Sequence, residues 1–547
     1  MASVKRIALG GSAVATAWFV AFVSVVRRPV VRSDEAWFLW VAVRANSGTP
    51  MYRGVYFVTT PLSMWLMQAG VWAFGAHVSV ERALASACFA ASLALVWVIA
   101  ARLGVPKAAR VVIGAGLFLG GAPATHFTSV YSMLAVTMSL GAMLALSGSI
   151  AAREAGSSGA AGCVTTGVLC GAAFAAKPNV GVVAMLAAVA SLILSDRWSD
   201  RHGGGLRRVV AACGLGFGGA VAVTLLPFVI NGTLGNLVGD VVVGKGSSYL
   251  SVEAFGYGGA TQILLLGAIA FSVAGMCRAP TATRRAMIAP CAFVLVGFVV
   301  AAPDFRSQHV TEAFPLLALS GAMLAAAHTA NPIVPGRLGR RAVASAAMVA
   351  VVGVAVMGWW AHRPPVHGRD TVVAERAAYF SGSLTTQASE QQVGADLTEL
   401  RRDTGGTVFL AFINAGYYYL AGQLRNPTAY DYPGRSDLGP DGEQGAIRAL
   451  RRRHVRWVCV RRPTRAQPTS PITPRRLETF VRLSFRFVER LNVCDLYRSP
   501  ADTVSSEPAS LREPANSSGA ARGAAASTSA ERGARPSRAR LASRRVG

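Results

Sequence analysis

The chain has 547 residues, of which 52% are hydrophobic and 15% charged, and its mean hydropathy is +0.41. Long uncharged apolar runs account for this balance, which excludes a soluble globular enzyme and indicates a polytopic membrane protein. The formal net charge of +27 does not indicate a nucleic-acid partner, because the basic residues flank the apolar runs or lie in the C-terminal tail.

About eleven apolar runs predict an α-helical polytopic domain over residues 1–361. The first run, residues 7–27, has a short basic front and no small-residue cleavage site, so we interpret it as a retained span. The later runs cover residues 83–101, 110–124, 129–150, 161–176, 178–195, 209–230, 259–277, 286–302, 311–328 and 343–361.

The distribution of arginine between the runs predicts the orientation of the chain. Arginine-rich loops follow every second run, so the positive-inside rule places the N-terminus in the cytoplasm. The first outer loop, residues 28–82, is rich in tryptophan, which favours the bilayer interface and predicts two helices along the membrane surface. An odd number of spans then places the C-terminal part outside the cytoplasm. We expect a multi-pass protein of the plasma (inner) membrane.

The sequence changes character after the last apolar run. Residues 362–500 alternate short apolar strands, such as 407–413 and 455–460, with two polar helices, which predicts a small extracytoplasmic α/β domain. Cys459 and Cys494 lie in this domain, and both a disulfide and a reduced buried pair remain open. Residues 501–547 are rich in Ala, Ser, Arg and Gly, which predicts a disordered tail.

An acidic pair, Asp34 and Glu35, directly follows the first span. Acids at this position also suit the first turn of a helix, where they interact favourably with its dipole. A carboxylate at the outer mouth of a membrane bundle can in addition accept a proton from an attacking hydroxyl group as a general base. We therefore predict that this pair is a catalytic centre.

Further polar residues lie in the predicted outer loops, on the same side of the membrane as the acidic pair. Two of them have a simpler interpretation: Lys177 as a snorkelling side chain, and Arg306 as the ion-pair partner of Asp304. Together, cations facing a carboxylate suit a phosphate leaving group. The sequence has no glycine-rich nucleotide loop, which favours a lipid phosphate over a nucleotide sugar as donor. The residues of this group are His126, Tyr131, Lys177, Lys245, Asp304, Arg306 and His309.

Several motifs in this order resemble those of the GT-C superfamily of membrane glycosyltransferases, in particular bacterial relatives of protein O-mannosyltransferases and of the lipid A aminoarabinose transferase. The resemblance begins at the acidic pair and continues through Gly48-Thr-Pro-Met-Tyr52, Thr60-Pro-Leu-Ser and Glu81-Arg-Ala-Leu-Ala-Ser. Gly171-Ala-Ala-Phe-Ala-Ala-Lys177 is similar to a Gly-x-x-Phe-x-x-Lys element of that family, and His309 before Pro315 is similar to another.

The resemblance implies transfer of a sugar from a polyprenyl-phosphate donor, with inversion, to a glycan, glycolipid or protein acceptor at the outer face of the bilayer. It implies that Asp34 is the general base, and that Lys177, Arg306 and His309 hold the donor phosphate. Many relatives carry a second acid between the third and fourth spans, but residues 125–131 contain none. His126 and Glu35 are the residues available to replace it, and nothing in the sequence supports a divalent metal or another cofactor.

Two other functions stay open at this point. A lipid or sugar transporter would share the apolar spans, although charges near the middle of the spans are scarce here. A non-catalytic protein of the same fold would account for the missing second acid.

Overall fold

A computed structural model describes residues 2–122, 130–198, 205–244, 259–302, 307–330, 371–373, 378–434, 438–461 and 474–500. Five sequence predictions concern residues outside these ranges: His126, Lys245, Asp304, Arg306 and the span at 343–361. The predicted tail, residues 501–547, also lies outside them.

Helices form nearly all of the described chain up to residue 330. Within a bilayer, only a helix or a closed barrel satisfies every backbone polar group, and these runs have helical length. Each of the first ten predicted spans overlaps one helix. The helices are α1 (Ala2–Val25), α2 (Glu35–Asn46), α3 (Pro61–Phe74), α4 (Val78–Arg102), α5 (Lys107–Gly121), α6 (Val130–Glu154), α7 (Ala160–Ala176), α8 (Pro178–Arg197), α9 (Leu206–Ile230), α10 (Leu234–Val238), α11 (Gly259–Arg278), α12 (Thr281–Ala301) and α13 (Ser307–Ala330).

The protein is an integral membrane protein by the length and composition of these helices. Among the described residues, six helices are long and apolar enough to cross a bilayer: those containing Val78–Arg102, Val130–Glu154, Pro178–Arg197, Leu206–Ile230, Thr281–Ala301 and His309–Ala330. Glycine brings α7 and α9 into close contact, since a Cβ atom on Gly167 would collide with the carbonyl group of Cys213. Small residues allow this close packing of membrane helices.

The first outer loop contains α2 and α3, as predicted, but only α3 has a face open to the surroundings. Trp72 and Phe74 at its end are 86% and 80% exposed, which suits the bilayer interface. In α2, by contrast, every side chain from Glu35 to Ala42 is buried. The tryptophans of α2 therefore pack inside the protein, in part against Tyr419 and Tyr432, whereas the orientation of α2 along the membrane surface stays a prediction.

Residues 378–500 contain a four-stranded sheet flanked by helices. The strand order is β3 (Phe409–Ala411), β4 (Trp457–Arg461), β6 (Cys494–Arg498) and β5 (Arg486–Arg490). β3 and β4 are parallel, and the other neighbours are antiparallel. A small hairpin, β1 (Thr371–Val373) with β2 (Leu384–Thr386), precedes the sheet. The helices are α14 (Gln387–Thr404), α15 (Ala415–Gly422), α16 (Gly442–Arg452) and α17 (Arg475–Ser484).

Two contacts fix this part of the fold. Cys459 of β4 and Cys494 of β6 form a disulfide, with their Cα atoms 5.7 Å apart, so the structure favours the bonded alternative for this pair. α15 packs directly on α2 because Gly416 has no side chain: a Cβ atom there would lie 2.8 Å from the Cα atom of Trp37. Trp40 of α2 stacks on Tyr419 of α15 at a centroid distance of 5.1 Å.

Candidate active site

Asp34 lies at the first residue before α2 and is partly exposed. The sequence is compatible with a helix cap here, but the carboxylate makes no capping hydrogen bond. The Ser33 hydroxyl group donates to Asp34 Oδ2 at 3.0 Å. Asp34 is therefore held at the start of α2, but its carboxylate does not cap the helix.

Glu35 has a different environment from its neighbour. Its two carboxylate oxygens accept hydrogen bonds from Nε and Nη2 of Arg82, both at 2.8 Å. The backbone N–H of Val31 donates to Oε2 at 2.8 Å. Glu35 is 3% exposed and Arg82 is fully buried. Three hydrogen bonds within the chain thus hold the Glu35 carboxylate at the start of α2.

Arg82 also ties the end of α1 to this point. Its guanidinium group donates to the carbonyl oxygens of Val25, Val26, Arg28 and Pro29 at 2.9–3.3 Å. These carbonyls belong to the last turn of α1 and the chain just after it, where helical partners are lacking. One side chain of α4 therefore joins the end of the first membrane helix to the beginning of α2.

A third acid, Glu81, is buried beside this ion pair. It is 2% exposed, and its Oε2 atom has no hydrogen-bond partner among the described residues. It interacts electrostatically with Glu35, Arg82 and Asp34. Sequence reasoning gave Glu81 no chemical role. The available signal was its position directly before Arg82 at the start of an apolar helix.

Lys177 lies at the break between α7 and α8, where its extended backbone and the following Pro178 separate the two helices. Its ammonium group donates to the hydroxyl group of Ser132 at 3.1 Å and to the carbonyl oxygen of Val300 at 2.9 Å. It lies 4.0 Å from Glu312 Oε2. These contacts hold Lys177 among α6, α12 and α13 rather than in a snorkelling conformation.

His309 joins the same group of residues. Its Nδ1 atom lies 3.1 Å from Glu312 Oε2, one helical turn further along α13. Glu312 is 1% exposed and also forms a hydrogen bond with Ser132. We call Lys177, His309, Glu312 and Ser132 the cation cluster. Sequence reasoning predicted the two cations but assigned nothing to the carboxylate between them.

Aromatic residues connect the cation cluster to α2. The Tyr131 ring lies under the Lys177 ammonium group, 5.4 Å from its centroid. Tyr131 also stacks on Phe38 at a centroid distance of 5.8 Å. Phe38 lies one turn after Asp34 in α2, and residues four apart share a helix face. The predicted site residue Tyr131 is thus the contact between the acid-bearing helix and the predicted phosphate ligands.

A fourth buried acid, Asp240, lies in a π-helical turn, Gly239–Gly244, after α10. The backbone N–H of Phe57 donates to its carboxyl group, and the Tyr56 hydroxyl group donates to its carbonyl oxygen at 3.4 Å. Burial raises the pKa of Asp240 to about 8. Asp240 therefore holds the first outer loop against the segment that follows α9.

Residues 378–500 meet α2 at a buried polar contact. Asp431 is fully buried and accepts hydrogen bonds from Arg44 Nη1 at 2.6 Å and from Trp40 Nε1 at 2.7 Å. Asn426 donates to the same carboxylate at 2.8 Å. Across the described ranges, no three His, Cys, Asp or Glu side chains are arranged to hold a metal ion.

Neither a protein-family model nor a curated protein sequence matches the chain, whereas solved structures do. ArnT from Cupriavidus metallidurans bound to undecaprenyl phosphate is similar with a TM-score of 0.51 and 15% identity, over 90% of this chain and 98% of that chain. A variant of the arabinofuranosyltransferase AftD from Mycobacteria has a TM-score of 0.51 and 13% identity, over 90% of this chain and 41% of that chain. The oligosaccharyltransferase AglB from Archaeoglobus fulgidus, in complex with an inhibitory peptide and a dolichol-phosphate, has a TM-score of 0.47 and 12% identity, over 83% of this chain and 70% of that chain.

ArnT and AftD are membrane glycosyltransferases of the GT-C superfamily. Their similarity extends over 90% of this chain. The chain therefore has the GT-C fold of membrane glycosyltransferases, and the predicted fold class is confirmed at this level.

Proposed function

We propose that the protein is a glycosyltransferase that moves a sugar from a polyprenyl-phosphate donor to a hydroxyl-bearing acceptor at the outer face of the plasma membrane. The observation that carries this proposal is the connection of two unlike groups by one buried helix. Asp34 begins α2, and Phe38 of the same helix contacts Tyr131 beside Lys177. A carboxylate and a cation cluster on one scaffold are the two charges that glycosyl transfer from a phosphate requires.

In the proposed reaction, Asp34 removes the proton from the acceptor hydroxyl group. The acceptor oxygen attacks the anomeric carbon from the face opposite to the phosphate, which inverts the configuration. The bond from the anomeric carbon to the phosphate oxygen breaks, and its electron pair stays on that oxygen. Lys177 and His309, with Arg306 as a further predicted ligand, stabilise the charge that develops there.

Glu35 enters the proposal as a positioning residue. Both of its oxygens accept hydrogen bonds from Arg82, and Oε2 accepts another from the backbone of Val31. Its ion pair fixes the backbone from which Asp34 projects.

The fold supports a lipid-linked donor, since one of the structures with the same fold contains undecaprenyl phosphate. Transfer at the outer face follows from the predicted topology, with the N-terminus in the cytoplasm and residues 362–500 outside. The acceptor class, whether glycan, glycolipid or protein, is what the test below identifies.

The test is transfer of labelled sugar in proteoliposomes that contain the purified protein and a panel of polyprenyl-phosphate sugars. Wild type is compared with Asp34→Asn and with Asp441→Asn, a matched change at an exposed residue. General-base catalysis contributes about 10²–10⁴-fold, so we expect Asp34→Asn to lose about that much activity and Asp441→Asn to lose none. Full activity in Asp34→Asn would contradict the proposed base. Absence of transfer in wild type with every donor, despite binding of the lipid, would contradict the enzyme and favour a transporter or a non-catalytic protein.

A further inference from the structure

Glu312 is the acidic member of the cation cluster, and the proposed reaction does not use it. It is 1% exposed, and its Oε2 atom lies 3.1 Å from His309 Nδ1 and 4.0 Å from Lys177 Nζ. Ser132 bridges the two sides, since it contacts both Lys177 and Glu312. A buried carboxylate thus faces the two cations that are proposed to hold phosphate, and any bound phosphate shares them with it.

This arrangement has a consequence for charge, which rests on the proposed function. A sugar-linked donor is a phosphodiester and carries one negative charge. The polyprenyl phosphate that remains after transfer is a monoester, which carries about 1.5 to 2 negative charges near pH 7. Lys177 and His309 are the basic members of the cluster, and the buried Glu312 carboxylate adds a negative charge beside them. The carboxylate repels every negative charge of a bound phosphate, so it disfavours the more highly charged product more than the singly charged donor.

We propose that Glu312 is a specificity-determining residue that acts through Lys177 and His309 to disfavour the monoester product relative to the phosphodiester donor. Without this carboxylate, the two cations would bind the more highly charged product most tightly and would retain it after each reaction. With it, release of the lipid phosphate becomes easier while the donor remains well bound. The competing explanation is that Glu312 only compensates a buried lysine.

The test compares two probes that contain no sugar and so do not depend on the donor's identity. These are a short-chain polyprenyl monophosphate and its methyl diester, with the free polyprenol as a control for the lipid tail. Dissociation constants are measured at pH 7.5 by native mass spectrometry or tryptophan fluorescence, for wild type, Glu312→Gln and Glu312→Asp. Glu312→Gln removes the repulsion between the buried carboxylate and each charge of a bound phosphate, and the monoester carries more charge than the diester. We therefore expect Glu312→Gln to gain about ten times more affinity for the monoester than for the diester. Glu312→Asp keeps the charge and should keep the wild-type ratio.

Because His309 contacts Glu312 directly, the same comparison is made in a His309→Gln background. There the cluster holds only Lys177 and Glu312, and we again expect the glutamine variant to favour the monoester by about tenfold. An equal change for both probes in both backgrounds would overturn the inference and leave the glycosyltransferase proposal standing. If wild type binds neither phosphate probe better than the polyprenol, the phosphate site itself is wrong and both proposals fall. Should Glu312→Gln not fold alone, the double variant Glu312→Gln/His309→Gln is compared with His309→Gln. The inference predicts the tenfold gain for the monoester in that comparison, and an equal change for both probes overturns it.

Discussion

Arg82→Met is the substitution from which we expect the largest loss of stability, for reasons that can be counted in the structure. The guanidinium group is fully buried and donates six hydrogen bonds: two to Glu35 and four to carbonyl oxygens that follow or end α1. Methionine fills a similar volume but leaves the Glu35 carboxylate buried without its cation. Breaking a buried pair in this way typically costs about 3–5 kcal/mol. We expect Arg82→Met to lower the free energy of unfolding by that amount.

The assay is reversible unfolding in mixed micelles with increasing mole fractions of sodium dodecyl sulfate, followed by tryptophan fluorescence. Arg102→Met is the matched control, because Arg102 lies on the same helix but is exposed and donates a single hydrogen bond, at 3.3 Å. Its loss should cost less than about 1 kcal/mol, as for other exposed sites. Glu35→Gln alone leaves Arg82 unpaired and should also be costly.

The double variant Glu35→Gln/Arg82→Met tests the reasoning further. If the two side chains form one unit, their losses overlap, and the double variant should be about 2 kcal/mol more stable than the sum of the single losses predicts. Additive losses, or a cost below about 1 kcal/mol for Arg82→Met, would refute the view that this ion pair fixes the start of α2. Asp34→Asn, in contrast, should leave stability unchanged, which separates the roles of the two adjacent acids.

Three further predictions concern residues outside this ion pair. Because burial raises the pKa of Asp240 to about 8 from an ordinary value of 3.8, the folded chain keeps a proton that the unfolded chain releases. Wild-type stability should therefore fall as the pH rises from about 4 to 8, by at most about 1.4 kcal/mol per pH unit. Melting temperatures measured from pH 5 to 9 should show a flatter slope for Asp240→Asn. An unchanged slope would show that Asp240 does not cause this pH dependence. Replacing Cys459 and Cys494 by serine opens a link between residues 35 positions apart and should cost about 4 kcal/mol. Reductant should destabilise wild type similarly and leave the serine variant unaffected; alkylation of both thiols before reduction would contradict the disulfide. Asp431→Asn should weaken the contact with Arg44 and Trp40, lower the free energy of unfolding by about 3 kcal/mol and increase tryptic cleavage within residues 378–500. An unaltered cleavage pattern would show that this contact does not hold residues 378–500 against α2.

The helical part of the fold could be predicted from sequence because the bilayer leaves few choices. An uncharged run of sufficient length must satisfy its own backbone and therefore forms a helix, and ten predicted spans overlap helices. The burial of α2 could not be predicted in this way. Its tryptophans suit both a membrane interface and a protein core, and its covering residues, such as Tyr419, come almost 380 positions later in the chain.

Some residues of the candidate site could likewise be predicted from the sequence, and others could not. Asp34, Lys177 and His309 could be selected because their residue types and their places in the topology suggest chemistry. Arg82, Asp240 and Asp431 could not, because the partners that explain them are distant in sequence. Glu312 does carry a signal in the sequence: a carboxylate inside an apolar helix, one turn after a histidine, requires a cation nearby.

The burial of α2 also bears on how the protein is made. α2 is synthesised long before its partners, since the carboxylate that binds Trp40 and Arg44 belongs to Asp431, about 390 positions later. During translation, domains and segments fold in the order in which they emerge. Trp40 and Arg44 therefore lack the Asp431 carboxylate until nearly every membrane helix has been inserted. The acid-bearing end of α2 is consequently completed late. A chain that stops short of residue 431 would be inserted in the bilayer without an assembled centre, and quality control of biosynthesis could recognise it by that exposed helix.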